Sequence, residues 1–292
     1  MSDTRVILVA VTMEGWRPLG ETKDDTGVLY EGVQPWMELA VQRWVLSTVR
    51  SLHRLAQITD EFDQRRRSEL PIAADVAQEG FDALWKHWND EADLIPFVDF
   101  LLAKFPAKTR LDRERLDDFE ADLLRSGSAW RIGTRDGFAG FERRVPLGVQ
   151  EAADHVMTET GEAGRRLSEA WHTAFGVNPD PSKAYSLAIK AVEDAAKSKT
   201  SPNDRVATLG KMIGNVRDQS GWSLPFQQDD PNVASGEMLR DMMRALWAGQ
   251  VDRHGASADP EHRKITQEAA ETAVLLAVPL VQWFTTGAAD RR

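Results

Sequence analysis

Arg253 and His254 stand side by side in Asp252-Arg253-His254-Gly255. A guanidinium grips phosphate through paired N–H groups, and an imidazole moves protons near neutral pH. Together they have the parts needed to act on a phosphodiester. His262 follows with eight residues between it and Arg253. Upstream, Glu193 and Asp194 adjoin the apolar stripe of a helix. Each has a plainer reading too. Cations just past the 233–248 helix complement its dipole, His262 can be solvent-exposed, and Glu193 and Asp194 can lie on a solvated face. Neighbouring helical residues point about 100° apart, so Arg253 and His254 share one phosphate only in a loop. Gly255 favours the loop.

Other chemistries fall away on residue types. The chain has no cysteine, so disulfides, thiolate metal sites and cysteine nucleophiles are excluded, and a reducing cytoplasm is the expected compartment. The histidines (His53, His87, His155, His172, His254, His262) show no metal-ligand spacing, and no cofactor is expected. Leu209-Gly210-Lys211-Met212 lacks the flanks of a phosphate-binding loop, and no His-Glu-x-x-His, Gly-x-Ser-x-Gly or dinucleotide fingerprint occurs. A net charge of −10 argues against general nucleic-acid coating but leaves room for a local basic site. Val6–Val11 is too short for a signal peptide, and Ala273–Val281 falls short of the roughly 20 residues that span a bilayer. No membrane partner is expected.

The elements that must position these residues are mostly helices. Val6–Thr12 and Val28–Val33 read as short strands. Met37, Ala40, Val41, Trp44, Val45, Thr48 and Leu52 recur at three and four, predicting a helix from Trp36. Further helices are predicted over 73–88, 94–105 and 111–124, the last with Leu111, Leu116, Phe119, Leu123 and Leu124 inward. Ala129–Ile132 and Phe138–Val145 flank the turn sequence Thr134-Arg135-Asp136-Gly137, a hairpin signal. Helices follow over 149–161, 162–175, 182–197, from Val206 to Val216, over 233–248 and over 261–284, where Pro279 predicts a kink. Met238, Met242, Leu246 and Trp247 form the predicted inner face of the 233–248 helix. The fold expected is therefore mainly α: an N-terminal helical domain with a few short strands (1–125), a β-hairpin connector (126–148) and a C-terminal helical bundle (149–292).

Three stretches of the C-terminal half form an ordered set: Ala184-Tyr185-Ser186-Leu187-Ala188-Ile189-Lys190-Ala191-Val192-Glu193-Asp194, Thr208-Leu209-Gly210-Lys211, and Asp252-Arg253-His254-Gly255 before a long Ala/Leu/Val helix. This order resembles the HEPN domain, in particular the C-terminal part of bacterial abortive-infection proteins, over roughly 165–286. The Tyr30–Trp36 entry is similar to the partner domain of those proteins. The resemblance implies a metal-independent ribonuclease with an Arg-x4-6-His motif, working as a dimer whose motifs meet at the interface. It implies His254 as general acid–base, Arg253 as phosphate clamp, and Glu193 or Asp194 as the orienting carboxylate. The spacing departs from the family pattern. Either the tight Arg253-His254 pair acts, or Arg253 acts with His262 across a longer loop, or the site only binds.

The expectation is thus an endoribonuclease of bacterial defence or toxin type, acting on RNA such as tRNA as a homodimer, with a triggering or neutralising protein partner. The alternative is a non-catalytic RNA- or nucleotide-binding or protein-interaction module, of phage or prophage origin.

Overall fold

The computed structural model describes residues 29–88, 93–135, 137–204, 206–226, 234–250 and 264–292. Among them the chain is mainly α, with twelve α-helices and two small antiparallel sheets. It divides into two compact units, Met1–Leu147 and Gly148–Arg292. The strand expected at Val6–Thr12 lies outside the described residues. Around Val28–Val33 the structure has a single parallel bridge, Tyr30 to Ser128.

In the first unit a 3₁₀ turn at Pro35–Met37 leads into α1 (Glu38–Val49). The helix predicted to reach Leu52 ends earlier. Arg50 takes a left-handed conformation (φ 66°), and Ser51, extended, accepts a bond from the Arg54 N–H to start α2 (Leu52–Arg66). Leu52 is consequently half exposed rather than inward. The helix predicted over 73–88 is also two, α3 (Ala73–Glu79) and α4 (Phe81–Trp88), parted at Gly80 with φ 68°. After α5 (Leu94–Lys104), Thr109 and Asp112 close a reciprocal capping box at the start of α6 (Arg110–Arg125). Phe119 and Leu123 carry the buried face of α6, while Leu111 and Leu124, expected inward, are exposed. Helices α1 and α6 run antiparallel: Trp44 stacks on Phe119 with centroids 4.8 Å apart, and Arg43 meets Asp122 at 3.7 Å.

The hairpin lies within this first unit. Its strands β1 (Trp130–Arg135) and β2 (Phe138–Arg143) pair from Trp130↔Arg143 to Arg135↔Phe138, with Gly137 at φ 80° in the tight turn. Asp99 of α5 accepts from the Phe141 N–H at 2.7 Å, and Glu120 of α6 from that of Ile132 at 2.7 Å. Glu142 lies across Gly133 so closely that a Cβ there would fall 2.0 Å from its carboxylate. Two helices are thereby tied to the ribbon by buried polar contacts.

The second unit is a helical bundle: α7 (Leu147–Glu159), α8 (Gly161–Phe175), α9 (Pro181–Thr200), α10 (Leu209–Asp218), α11 (Ser235–Ala248) and α12 (Gln267–Thr286). Helix α9 packs along both α8 and α12. The predicted stripe Tyr185, Ala188, Ile189, Val192, Ala196 is buried. Val206, predicted on the inner stripe of the next helix, lies outside it and is 86% exposed; Leu209, Met212 and Val216 form that stripe. On α11 the buried face is Leu239, Met243 and Leu246, one position on from the expected Met238 and Met242. By length and composition α12 could cross a bilayer, but Ala270, Ala273, Val274, Ala277, Val278, Leu280, Val281 and Phe284 are buried in the unit. Pro279 stands inside it, withholding one helical N–H. Strands β3 (Trp222–Ser223) and β4 (Asp290–Arg291) form a small sheet that periodicity does not reveal.

Candidate functional site

Arg253, His254 and His262 belong to the segment joining α11 to α12 and lie outside the described residues. The structure does describe the two anchors of that segment. At the end of α11 the Tyr185 hydroxyl donates to the Leu246 carbonyl at 2.9 Å, satisfying one of the helix's orphan acceptors. Tyr185 comes so close that a Cβ on Gly249 would lie 2.2 Å from its oxygen, so a side chain there would push the hydroxyl from the Leu246 carbonyl. At the start of α12, Thr266 caps the helix by accepting from the Ala269 N–H, and the Gln267 amide donates to the Ala174 carbonyl at 2.6 Å. Ala174 closes α8 and Tyr185 lies in the first turns of α9. Both anchors therefore sit at the same end of the α8–α9 pair.

Glu193 and Asp194 lie eight and nine residues beyond Tyr185 on α9, about 12 Å further along the axis at 1.5 Å per residue. Each has a described partner. A Glu193 carboxylate oxygen accepts from the Leu209 N–H at 2.6 Å, capping α10, which its own N-cap Thr208 does not do by side chain. Asp194 accepts from Arg166 of α8, which also approaches Glu162 at 3.5 Å. Carboxylates nearer the anchors include Asp180, which caps α9 by accepting from the Lys183 N–H, and Glu271, bonded to Gln267. The orienting-carboxylate role implied by the resemblance thus falls on two groups that already join helices of the bundle.

Burial pushes the Glu193 carboxyl above its ordinary value, and neighbouring Asp194 adds to this; the Leu209 N–H works the other way. The folded state therefore holds the Glu193 proton more tightly than the unfolded chain. The stabilisation this gives is full below the ordinary value of 4.5 and is lost as pH rises through the raised one. Glu193→Gln keeps the acceptor without the buried charge. It is expected to melt at or above the parent temperature at pH 7, with the difference closing below pH 4.5. Glu193→Ala removes the cap and should cost about 1 kcal/mol. Thermal melts at both pH values check the pair.

Sequence reading did not find a cavity of about 310 Å³ in the first unit, between the ends of α2 and α4. Its walls include Arg66, Arg67, Ser68, Leu70, His87 and Asp93. Arg66 meets Asp93 at 2.8 Å along this wall, and a His87 ring nitrogen lies 3.2 Å from Asp75. The wall is held by Asp63, whose carboxylate accepts from the Ile72 N–H at 3.0 Å. No periodicity signals such a space, because it arises from the loop 67–72 and two helix ends.

Among the described residues no group of three or more His, Asp or Glu side chains is arranged to hold a metal ion. No family model, curated protein or solved structure matches the chain.

Proposed function

We propose that the chain is a metal-independent endoribonuclease of HEPN type, with Arg253 and His254 as its reactive pair. The observation that carries this is the sequence Asp252-Arg253-His254-Gly255 between α11 and α12 of a helical unit. A closely packed α8, α9 and α12 and anchors at one end of the α8–α9 pair support it. In this reading His254 takes the proton from a ribose 2′-OH, whose oxygen attacks the adjacent phosphorus. Arg253 holds the phosphate oxygens as charge builds on them. The 5′-oxygen leaves with the proton that His254 took up, and the products are a 2′,3′-cyclic phosphate and a 5′-hydroxyl.

The enzyme would work in the cytoplasm as a homodimer in bacterial defence, on tRNA or other RNA, under a triggering or neutralising protein. Leu276, Pro279 and Trp283, half-buried on α12, are the side chains we assign to the dimer seam. Glu193 and Asp194 are given no catalytic part, because Leu209 and Arg166 hold them. The wide Arg253–His262 spacing and the net charge of −10 favour a second reading, an RNA- or nucleotide-binding module without catalysis. Purified protein incubated with total bacterial RNA in EDTA separates the two. Discrete fragments are expected from the enzyme, and RNA bound but uncut is the result of the binding module.

A further inference from the structure

Most cations of the first unit face carboxylates: Arg43 meets Asp122, Lys104 meets Glu61 and Arg144 meets Glu120. Among the described residues of that unit, those without a carboxylate at ion-pair distance are Arg50, Arg54, Lys108, Arg113, Lys86 and Arg67. The first four meet at one corner. The antiparallel run of α1 against α6, from Arg43–Asp122 through Trp44–Phe119, brings Arg50 at the end of α1 to the start of α6, where Arg113 lies. The Arg54 guanidinium lies 5.6 Å from the centroid of the Phe105 ring, at the end of α5 and three residues before Lys108. All four cations are exposed.

The acids of this corner offset them only in part. The Asp112 carboxylate accepts from the Thr109 N–H, Arg115 reaches it at 3.9 Å, and Arg50 also attracts it. Glu114 faces Arg110 at 2.7 Å. Glu79 borders the corner beside Gly80, whose added Cβ would touch Leu52 at 3.1 Å. Four helix ends thus converge on a cationic surface in a chain of net charge −10.

We propose that this corner binds the phosphate backbone of single-stranded RNA, with the exposed Arg54 guanidinium, lying over Phe105, as the surface on which a base stacks. Long cations around an aromatic ring suit a flexible strand, whose phosphates adapt to their spacing. An anionic bilayer fits worse, because a broad plane would meet the acidic remainder of the chain. The inference rests on RNA being the ligand of the proposed ribonuclease and adds where that strand is held.

The test is fluorescence anisotropy of the full chain with a 2′-O-methyl RNA of about 20 nucleotides, which lacks the attacking hydroxyl and stays intact. Arg50→Gln/Arg54→Gln/Lys108→Gln/Arg113→Gln is compared with Arg67→Gln/Lys86→Gln, the two cations of the same unit that lack a carboxylate and lie outside the corner. The quadruple variant should bind about tenfold more weakly or worse, with the salt dependence shallower by roughly 0.7 per lost phosphate contact. The control should stay within about twofold of the parent. Lys108→Glu alone, at an exposed position, should also weaken binding and serves if the quadruple variant misfolds. No RNA binding by the parent, unchanged binding by the corner variants, or an equal loss in the control overturns the proposal. So does loss of binding to phosphatidylserine vesicles with RNA affinity intact, which would assign the corner to lipid headgroups. RNA held at the corner but never cut would sink the ribonuclease alone, and cutting with corner-independent binding would sink the corner alone.

Discussion

His254→Ala is expected to slow RNA cleavage by about 10²–10⁴-fold, the usual contribution of a positioned general acid–base. Arg253→Ala should cost about 10²–10³-fold, because in the proposed mechanism the guanidinium meets charge that develops only as the phosphorus is attacked. Arg253→Lys restores the charge but not the paired N–H geometry, and should recover only part of the rate. Glu193→Gln and Asp194→Asn form the instructive contrast. The resemblance gives these carboxylates an orienting role, whereas in the bundle one caps α10 and the other holds Arg166. Both variants should therefore cut within about twofold of the parent, well short of a general-base loss. Initial rates on one RNA, with folding checked by circular dichroism, decide the matter. A hundredfold loss in Glu193→Gln would return that residue to the active site.

Gly236→Ala should destabilise the second unit by about 1–3 kcal/mol or more, the cost of forcing atoms into a packed site. A Cβ at this second residue of α11 would lie 2.0 Å from the Trp222 carbonyl oxygen and 2.9 Å from its carbon. Those atoms are backbone, and β3 is fixed on both sides. Trp222 pairs with Arg291 of β4, its ring packs edge-on against Phe284 at 6.1 Å, and the Leu224 N–H donates to Ser235 at 3.1 Å. The start of α11 cannot back away without giving up the Ser235 bond. Gly214→Ala is the opposite case. It lies inside α10, where an added Cβ meets nothing within 4 Å. That change should stabilise by about 0.5–1 kcal/mol through lower backbone entropy in the unfolded chain. Thermal melts should move in opposite directions, and a Gly236→Ala melt at or above that of Gly214→Ala would contradict the close approach.

The helical bundle was legible in the sequence where one face is buried and the other wet. The stripe from Tyr185 to Ala196 is the clearest case, since α9 packs between α8 and α12 and its period had to match. Breaks were less legible. Arg50 and Gly80 end helices by a single left-handed residue, and on either side the apolar period continues almost in phase. Arg50 gives no signal of its own, although Ser51 three residues before Arg54 is a cap that could have been read. Leu111 and Leu124 show the limit of apolar counting, because position on the helix, not residue type, decided their exposure, and Val206 precedes the helix it was expected to join.

The site was legible only as residue types. Arg253, His254 and His262 stand out by chemistry, but the commitments of Glu193 and Asp194 depend on α10 and α8, distant in sequence. Leu209 begins a helix whose N-cap side chain makes no cap bond, and a carboxylate from the preceding helix fills that need. The basic corner was hidden for the same reason. Its cations are spread from Arg50 to Arg113, and only the antiparallel packing of α1 on α6 gathers them.

The most direct measurement is the chemistry of RNA ends produced by the parent protein in EDTA. Attack by the 2′-OH, with no metal-bound water, leaves 2′,3′-cyclic phosphate and 5′-hydroxyl ends, and these should disappear in Arg253→Ala and His254→Ala. Fragments ending in 3′-hydroxyls, equal cutting by both variants, or intact RNA with well-folded protein under every condition would contradict the ribonuclease.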